Sequence, residues 1–524
     1  MYIIFSKNSV RLDKDGILFR KDNWDDFGYK TTFQVYTNTY FESSQYIGSV
    51  SIGVTDPVVY NTFTWLANNG YIDKRLSSFP KELFSLGAEV EYYEALIQKY
   101  SGSHEMPLLL KSFNDLANDE KIFNLVKESE VFDVSFLRHS PANSIQQYRR
   151  VINGGSKFVN FNWLITYESD ANEKPKSIFI NNELQSVLPT NLNAFIGANG
   201  TGKTSLLKDI AIASNSFGNF VSSTFLKNFR LKITDSPFGS DDPNRIQGIT
   251  NLVYVSFSSF DVFNKDFSKT FASNPNFQFL SNREFSFLKP NKDSDTEKLH
   301  QLMNKIVDPH KFSDHIEEVF NEIRETDSSR RLLAQVLKHF KWDTLFEQLT
   351  VAINNGSTMF DFEKKIVFST MSSGQKMIVA ILFSLVHKAR ENSLFLIDEP
   401  ELYLHPPYVL SLVLAINEIL HSTNSAAIMT THSPIVLQEI PKDHVFKILD
   451  FVDDKSIVHP TLESFGSNLS EINDEIFGVN VRDTGFYSIL KELATENKIE
   501  QLDNNMLGTD AKLYVNIIRN NENV

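Results

Sequence analysis

The chain has 524 residues, 41% hydrophobic and 22% charged, the composition of a globular protein large enough for roughly two to four domains. It has no cysteine, which excludes disulfides, cysteine-ligated zinc, iron–sulfur clusters and a thiol nucleophile. A net charge of −14 argues against an extended nucleic-acid-binding surface, so any such contact would run through a local patch.

The 44 Phe are spread along the whole chain and read as core filler, not as one stacking platform. The N-terminus lacks a long apolar segment of signal-peptide type. The longest apolar stretch, near Met377–Val386, is far short of the ~20 residues that span a bilayer. The expectation is a cytoplasmic chain with no membrane segment.

Residues 1–152 read as an α+β region without a motif that carries chemistry. Thr32–Tyr36 and Ser49–Val54 alternate as strands, while Leu83–Tyr100 and Glu120–Lys127 read as helices. Asn153-Gly154-Gly155-Ser156 is a candidate boundary. Strand signals resume at Phe161–Tyr167 and again at Leu192–Ile196.

The run Gly197-Ala198-Asn199-Gly200-Thr201-Gly202-Lys203-Thr204 then matches GxxxxGK[ST], the phosphate-cradling P-loop. Leu206, Leu207, Ile210 and Ala211 follow at helical spacing, so the motif has its strand–loop–helix context. Gly197, Asn199, Gly200 and Gly202 would let backbone N–H groups curl around an anion, and the helix start adds partial positive charge. Lys203 would reach the β/γ-phosphates, Thr204 would ligate Mg²⁺, and Ser205 follows at the helix start.

Further on, Phe225–Ile233 alternates as a strand, with Phe229, Leu231 and Ile233 on one face. Residues 311–350 read as paired helices, one striped by Phe312, Ile316, Val319, Phe320 and Ile323, the next by Leu332, Leu333, Val336, Leu337 and Phe340. Met371-Ser372-Ser373-Gly374-Gln375 opens another helix, a start rich in hydroxyls and free N–H groups. Leu394–Ile397 runs into Asp398-Glu399-Pro400, a buried strand that presents acids at its C-terminal edge. Asp398 would hold Mg²⁺ through its water shell, and Glu399 would accept a proton from the attacking water. Ala426–Thr430 reads as one more buried strand, ending at Thr431-His432-Ser433-Pro434.

Gly374 precedes Asp398 by 24 positions and His432 follows it by 34. In type, order and spacing these motifs resemble the P-loop, signature, Walker B and H-loop of the ATP-binding cassette ATPases. The resemblance covers about residues 155–450. It implies an α/β P-loop fold of ABC-ATPase head type spanning 153–450, with a helical insertion near 262–365, an α+β region at 1–152 and a short helical tail at 451–524. It also implies ATP and Mg²⁺ as ligands, and a homodimer or higher homo-oligomer. In such a dimer Ser372, Gly374 and Gln375 of one protomer would cover the ATP held by the other, with Glu399 and His432 at the γ-phosphate.

The sequence departs from that family in three places. Ser373 replaces the first signature glycine. Glu401-Leu402-Tyr403-Leu404-His405-Pro406 follows Walker B, a form that resembles RecF-, SMC- and overcoming-lysogenization-defect-type ATPases more than transporter subunits. No glutamine is evident for the Q-loop; Val255–Asp261 stands in its place, with Ser258 or Asp261 as candidate substitutes.

No Toprim or His-Asn-His nuclease pattern is present. The chain further resembles the ATPase subunits of anti-phage systems of Septu type, including retron-associated ones, and the PARIS ATPase. This implies a separate effector, a nuclease or toxin. The alternatives are a RecF-like DNA repair or loading ATPase, touching DNA through Lys227–Lys232, and a transporter's energising subunit.

Overall fold

The computed structural model describes the chain except residues 14–15, 23–28, 39–43, 57–58, 60, 101–105, 137–143, 170–174, 185, 226–228, 237–247, 259–260, 275, 288–295, 355–367, 452–453, 478–484, 497, 503–505 and 522–524. The chain divides into two compact units. The first comprises Met1–Asn162, Asp235–Thr250 and Arg390–Ser393; the second comprises Trp163–Thr234, Asn251–Ala389 and Leu394–Val524.

The second unit is built on a seven-stranded sheet. In chain order its strands are β1 (Leu192–Ile196), β2 (Leu252–Ser256), β3 (Phe277–Ser281), β4 (Leu394–Asp398), β5 (Ala426–Thr431), β6 (Val445–Phe451) and β7 (Asp454–Val458). Their spatial order is β3-β2-β4-β5-β1-β6-β7, parallel throughout except for β7. Strands β1, β2, β4 and β5 are buried at every position, as their largely apolar sequences dictate for a parallel sheet covered on both faces.

Helices α1 (Lys203–Asn215), α2 (Ser373–Lys388) and α3 (Pro406–Thr423) belong to this unit. Ten consecutive residues of α2, Met377–Val386, are buried, so it is a core helix despite its apolar length. Among the described residues no helix is long and apolar enough to cross a membrane. The helical insertion contributes Pro309–Glu325, Asp327–Val336 and Thr344–Asn354, and both predicted apolar stripes lie in the same core as β1, β2 and β4. It also contributes strand β3, and the segment 451–524, read as a helical tail, opens with strand β7 before its helices. Neither strand was legible as one, because each completes its hydrogen bonds on a neighbour distant in the chain or across a short turn.

The first unit carries a five-stranded sheet with strands in sequence order. Its predicted strands are present as Thr32–Asn38 and Ser44–Val54. The segment Leu83–Tyr100, read as one helix, is instead a strand, Leu83–Gly87, followed by a helix, Val90–Lys99. All five strand residues are buried, pairing with residues 50–54, a demand that overrides their local helical spacing. Of the segment Phe225–Ile233, residues 226–228 lie outside the described residues and the described strand runs over Phe229–Asp235. Phe225 is instead a buried bend whose N–H donates to Asp209 on α1 at 2.9 Å.

Within the first unit Arg150 and Glu391 form an ion pair at 2.6 Å with both side chains 1% exposed. Arg150 also donates to the carbonyls of Ser156 and Lys157, and Val159 N–H donates to Glu391, so the pair's remaining valences are met.

Asp115 is the other buried charge of this unit. It accepts from the Tyr93 hydroxyl and the Ala117 N–H, yet burial pushes its carboxyl up to about 7. The folded state therefore keeps a proton that the unfolded chain releases near pH ~4, so this residue subtracts stability as pH rises from about 4 to 7. We expect Asp115→Asn to lose less stability than the parent between pH 5 and pH 8. Thermal unfolding of both proteins at the two pH values checks this, and an identical pH slope would refute it.

Candidate functional site

Parallel pairing puts four strand ends on one edge. Ser256 of β2 is in register with Asp398 of β4, Asp398 with Thr430 of β5, and Thr431 with Ile196 of β1. The P-loop leaves β1, the acids leave β4, and His432 leaves β5, so the carboxyl edge gathers residues up to 235 positions apart in sequence.

The loop after β1 turns into α1 through Gly202, whose φ of 93° is left-handed and favours glycine. No side chain caps α1, which leaves its first N–H groups open to an anion. Asn199 and Gly200 are exposed on the loop, Gly197 is buried, and Ser205 is half-buried on α1.

Lys203 Nζ donates to the carbonyls of Gly197 at 3.1 Å and Ala198 at 3.2 Å, and lies 3.4 Å from His432 Nδ1. The Thr204 hydroxyl donates to Asp398 Oδ1 at 3.1 Å. The Thr430 hydroxyl donates to the same oxygen. Asp398 is 5% exposed, and burial pushes its carboxyl up to about 6 against those hydrogen bonds.

His432 Nε2 lies 2.9 Å from Glu399 Oε1. An ammonium can only donate, so with Lys203 facing Nδ1 the tautomer that satisfies both contacts carries its proton on Nε2. The histidine hydrogen bond holds the Glu399 carboxyl below its ordinary value against burial, and the Lys203 charge acts the same way. Burial lowers the Lys203 ammonium, opposed by Glu399, Asp398 and Glu401.

Glu399 itself sits at φ 45°, a left-handed conformation unusual for a side chain of this kind. Its N–H is held by the Thr430 carbonyl at 3.1 Å and the Thr430 hydroxyl at 3.2 Å. Glu401 turns its carboxylate inward, where Oε1 accepts from the Thr431 hydroxyl at 2.6 Å and the His432 N–H at 2.7 Å. Thus the acid that follows Walker B fixes the loop that carries the histidine.

The signature residues form a second group. Ser372 caps α2 in a reciprocal capping box with Gln375. The Gln375 amide also donates to Asp343 Oδ2 at 3.0 Å, and the Tyr408 hydroxyl of α3 donates to the same oxygen. A Cβ on Gly374 would lie 3.2 Å from both Leu404 Cδ2 and the Tyr403 carbonyl, so that glycine makes room for the segment after Walker B. Ser372 and Ser373 are exposed. Among the described residues no hydrogen bond joins this group to Lys203, Thr204, Asp398, Glu399 or His432.

Sequence reasoning missed Thr430, Glu401 and Asp343. Thr430 and Glu401 lie inside quoted motifs, but their roles need the pairing of β4 with β5. Asp343 has no local signal at all. Of the candidate DNA strip, Lys227 and Asn228 lie outside the described residues, Arg230 pairs with Glu168 at 2.8 Å, and Lys232 lies over the Phe220 ring.

Residues 192–438 match the family described as "AAA domain, putative AbiEii toxin, Type IV TA system". Protein ea59 of Escherichia phage lambda is 29% identical over 491 residues, covering 92% of this chain and 90% of that protein. The retron Vc95 probable ATPase of Vibrio cholerae serotype O1 biovar El Tor is 23% identical over 204 residues, 37% of this chain and 38% of its own length. Among solved structures, the ADP conformation of MJ1267, an ATP-binding cassette of an ABC transporter, aligns at 14% identity over 60% of this chain and 94% of its own, with a TM-score of 0.29. An SmcHead bound to the C-winged helix domain of ScpA aligns at 13% identity over 58% and 98%, with a TM-score of 0.28. The chain has an α/β fold whose P-loop leaves a parallel sheet, and it resembles AAA ATPases, among them a retron ATPase.

Thr430→Val keeps the shape but leaves buried Asp398 short of a donor. We expect a loss of about 1–3 kcal/mol in denaturant unfolding; a variant as stable as the parent would refute this account of the strand pairing.

Proposed function

We propose that the chain is the ATP-binding and hydrolysing subunit of a phage–host conflict system, and that its ATP-dependent dimerisation controls a separate effector, a nuclease or toxin. The observation that carries the ATPase part is the convergence of Lys203, Thr204, Asp398, Glu399 and His432 on one strand edge, described above. The retron relative and the toxin family description support the conflict part, as does a phage-encoded relative that matches over nearly the whole chain.

The residues present fit a nucleotide with a divalent ion. The uncapped start of α1 and Lys203 suit the phosphates, while Thr204 and Asp398 offer the hard oxygens that Mg²⁺ prefers. When bound, Mg²⁺ would neutralise charge on the β- and γ-phosphates. Lys203 would exchange its two loop carbonyls for phosphate oxygens. Glu399, held ionised through neutral pH by His432, would orient the attacking water and take its proton late, which suits a loose phosphoryl-transfer transition state. His432 would pass its Nε2–H from Glu399 toward the γ-phosphate, so the resting pair is a latch that substrate opens.

Ser372 makes no hydrogen bond to this group among the described residues and is exposed at the start of a 16-residue helix. We infer that it completes the site of a second protomer. The γ-phosphate would then bridge two bodies, and its loss would release them.

Two measurements test this. Glu399→Gln should bind ATP yet hydrolyse it about 100-fold more slowly or worse, and accumulate as a dimer with ATP in size-exclusion chromatography. Lys203→Ala and Ser372→Arg should each be inactive alone. Mixed, they can form a heterodimer with one intact composite site, so part of the activity should return. No recovery in a mixture proven to contain heterodimers would sink the shared-site mechanism.

A further inference from the structure

We propose that residues 485–521 form a second self-association surface, a helical pair that packs on the same pair of another copy without any nucleotide. It is separate from the ATP-dependent contact proposed above, and only its consequence for that contact rests on the ATPase reading. The pair consists of α4 (Gly485–Thr495) and α5 (Thr509–Asn521). The Tyr487 and Tyr514 rings meet edge to face with centroids 4.8 Å apart, and Arg519 donates to the Ile499 carbonyl at 3.4 Å.

The interior of this pair is too small to stand alone. Leu490, Ile499 and Val515 are its buried apolar side chains, and the apolar residues packed against them all lie between Ala494 and Ile518. None belongs to the core that holds β1, β2 and β4. A unit of fewer than ~40 residues usually needs a disulfide, a metal or oligomerisation. The chain has no cysteine, and among the described residues no cluster of His, Asp and Glu can hold a metal. Oligomerisation is what remains.

The outer surface carries the means. Phe486 and Ile489 lie one turn apart on α4 and are 42% and 56% exposed; Leu513 and Ile517 lie one turn apart on α5 and are 62% and 43% exposed. Each helix thus shows solvent an apolar stripe in addition to the residues it buries.

A second copy fits this surface for two reasons. Two such pairs joined through their stripes make a four-helix bundle of twice the size, in which the stripes become core. The charges are also self-compatible. Residues 485–521 carry four basic and five acidic side chains, nearly neutral within a chain of net charge −14. Opposite charges sit close together, as in Lys491 beside Glu492 and Lys498 paired with Glu496 at 2.7 Å. A two-fold contact between identical segments therefore meets no net repulsion, whereas a strongly charged partner finds no counterpart. Four side chains per copy make a modest contact, formed at micromolar concentration and lost in dilute samples. Where it forms, ATP-driven closure becomes intramolecular and proceeds at a raised effective concentration.

Sedimentation velocity of the full chain without nucleotide, between about 1 and 100 μM, is the test. The parent should pass from monomer to dimer. The double variant Ile489→Glu/Ile517→Glu, shown folded by its unfolding curve, should need roughly 10-fold more protein or stay monomeric, because pairing would bury its carboxylates. Should that variant not fold, Ile517→Cys gives the chain a single thiol. A bismaleimide should then link two chains without nucleotide, and should not link Val187→Cys, whose position is 99% exposed elsewhere on the chain. A parent that stays monomeric, a folded double variant that dimerises like the parent, or equal linking of the two cysteine variants would overturn the proposal. Glu399→Gln dimerising with ATP in dilute solution would still leave the ATPase reading standing. Conversely, nucleotide-free dimers in a chain that neither binds nor hydrolyses ATP would keep this surface and overturn that reading.

Discussion

The parallel pairing of β2, β4, β5 and β1 is the constraint on which the site depends. Evenly spaced parallel hydrogen bonds hold the four strand ends level, so whatever residue follows each end is delivered to the same edge. The apolar runs of these strands serve this purpose. Buried at every position, they leave the sheet no alternative register that keeps Asp398, Thr430 and Ile196 at the rim.

That rim concentrates like charges in a place with little water. Asp398, Glu399 and Glu401 all act on the Lys203 ammonium there. The consequences are visible as displaced protons: Asp398 and Glu401 are raised by burial, while Glu399 is lowered by its histidine. Two adjacent acids are thus driven apart in character, the pattern that lets one handle metal and the other handle water. The left-handed backbone at Glu399 is held by two hydrogen bonds from its N–H to Thr430, so the neighbouring strand maintains a strained position.

The second group is organised by a different logic. Asp343 ties the signature helix, through Gln375, to α3, through Tyr408, and burial raises its carboxyl less than those two hydrogen bonds and that of Leu345 lower it. Ser372 is therefore oriented by residues from the helical insertion and from the helix after Walker B. A serine presented this way can be moved as part of a rigid body, which a switch driven by dimer closure requires.

The local chemistry was legible in the residues themselves. The P-loop, the Asp-Glu strand end, the serine–glycine helix start and the Thr-His strand are short, contiguous patterns whose meaning depends on neighbours within one turn or one strand. The 3.6-residue stripes of the insertion were legible for the same reason, since a helix completes its hydrogen bonds within itself. Strand Leu83–Gly87 and strand β3 were not, because a strand's partners lie elsewhere in the chain. The roles of Thr430, Glu401 and Asp343 belong to the same class: each is defined by a hydrogen bond to a segment 30 or more positions away. Sequence alone determined which residues carry functional groups suited to phosphate, metal and water, because that depends on chemistry and local backbone freedom. Only the tertiary structure decided which of them meet, because meeting depends on strand order and register, which are settled by burying the whole sheet at once.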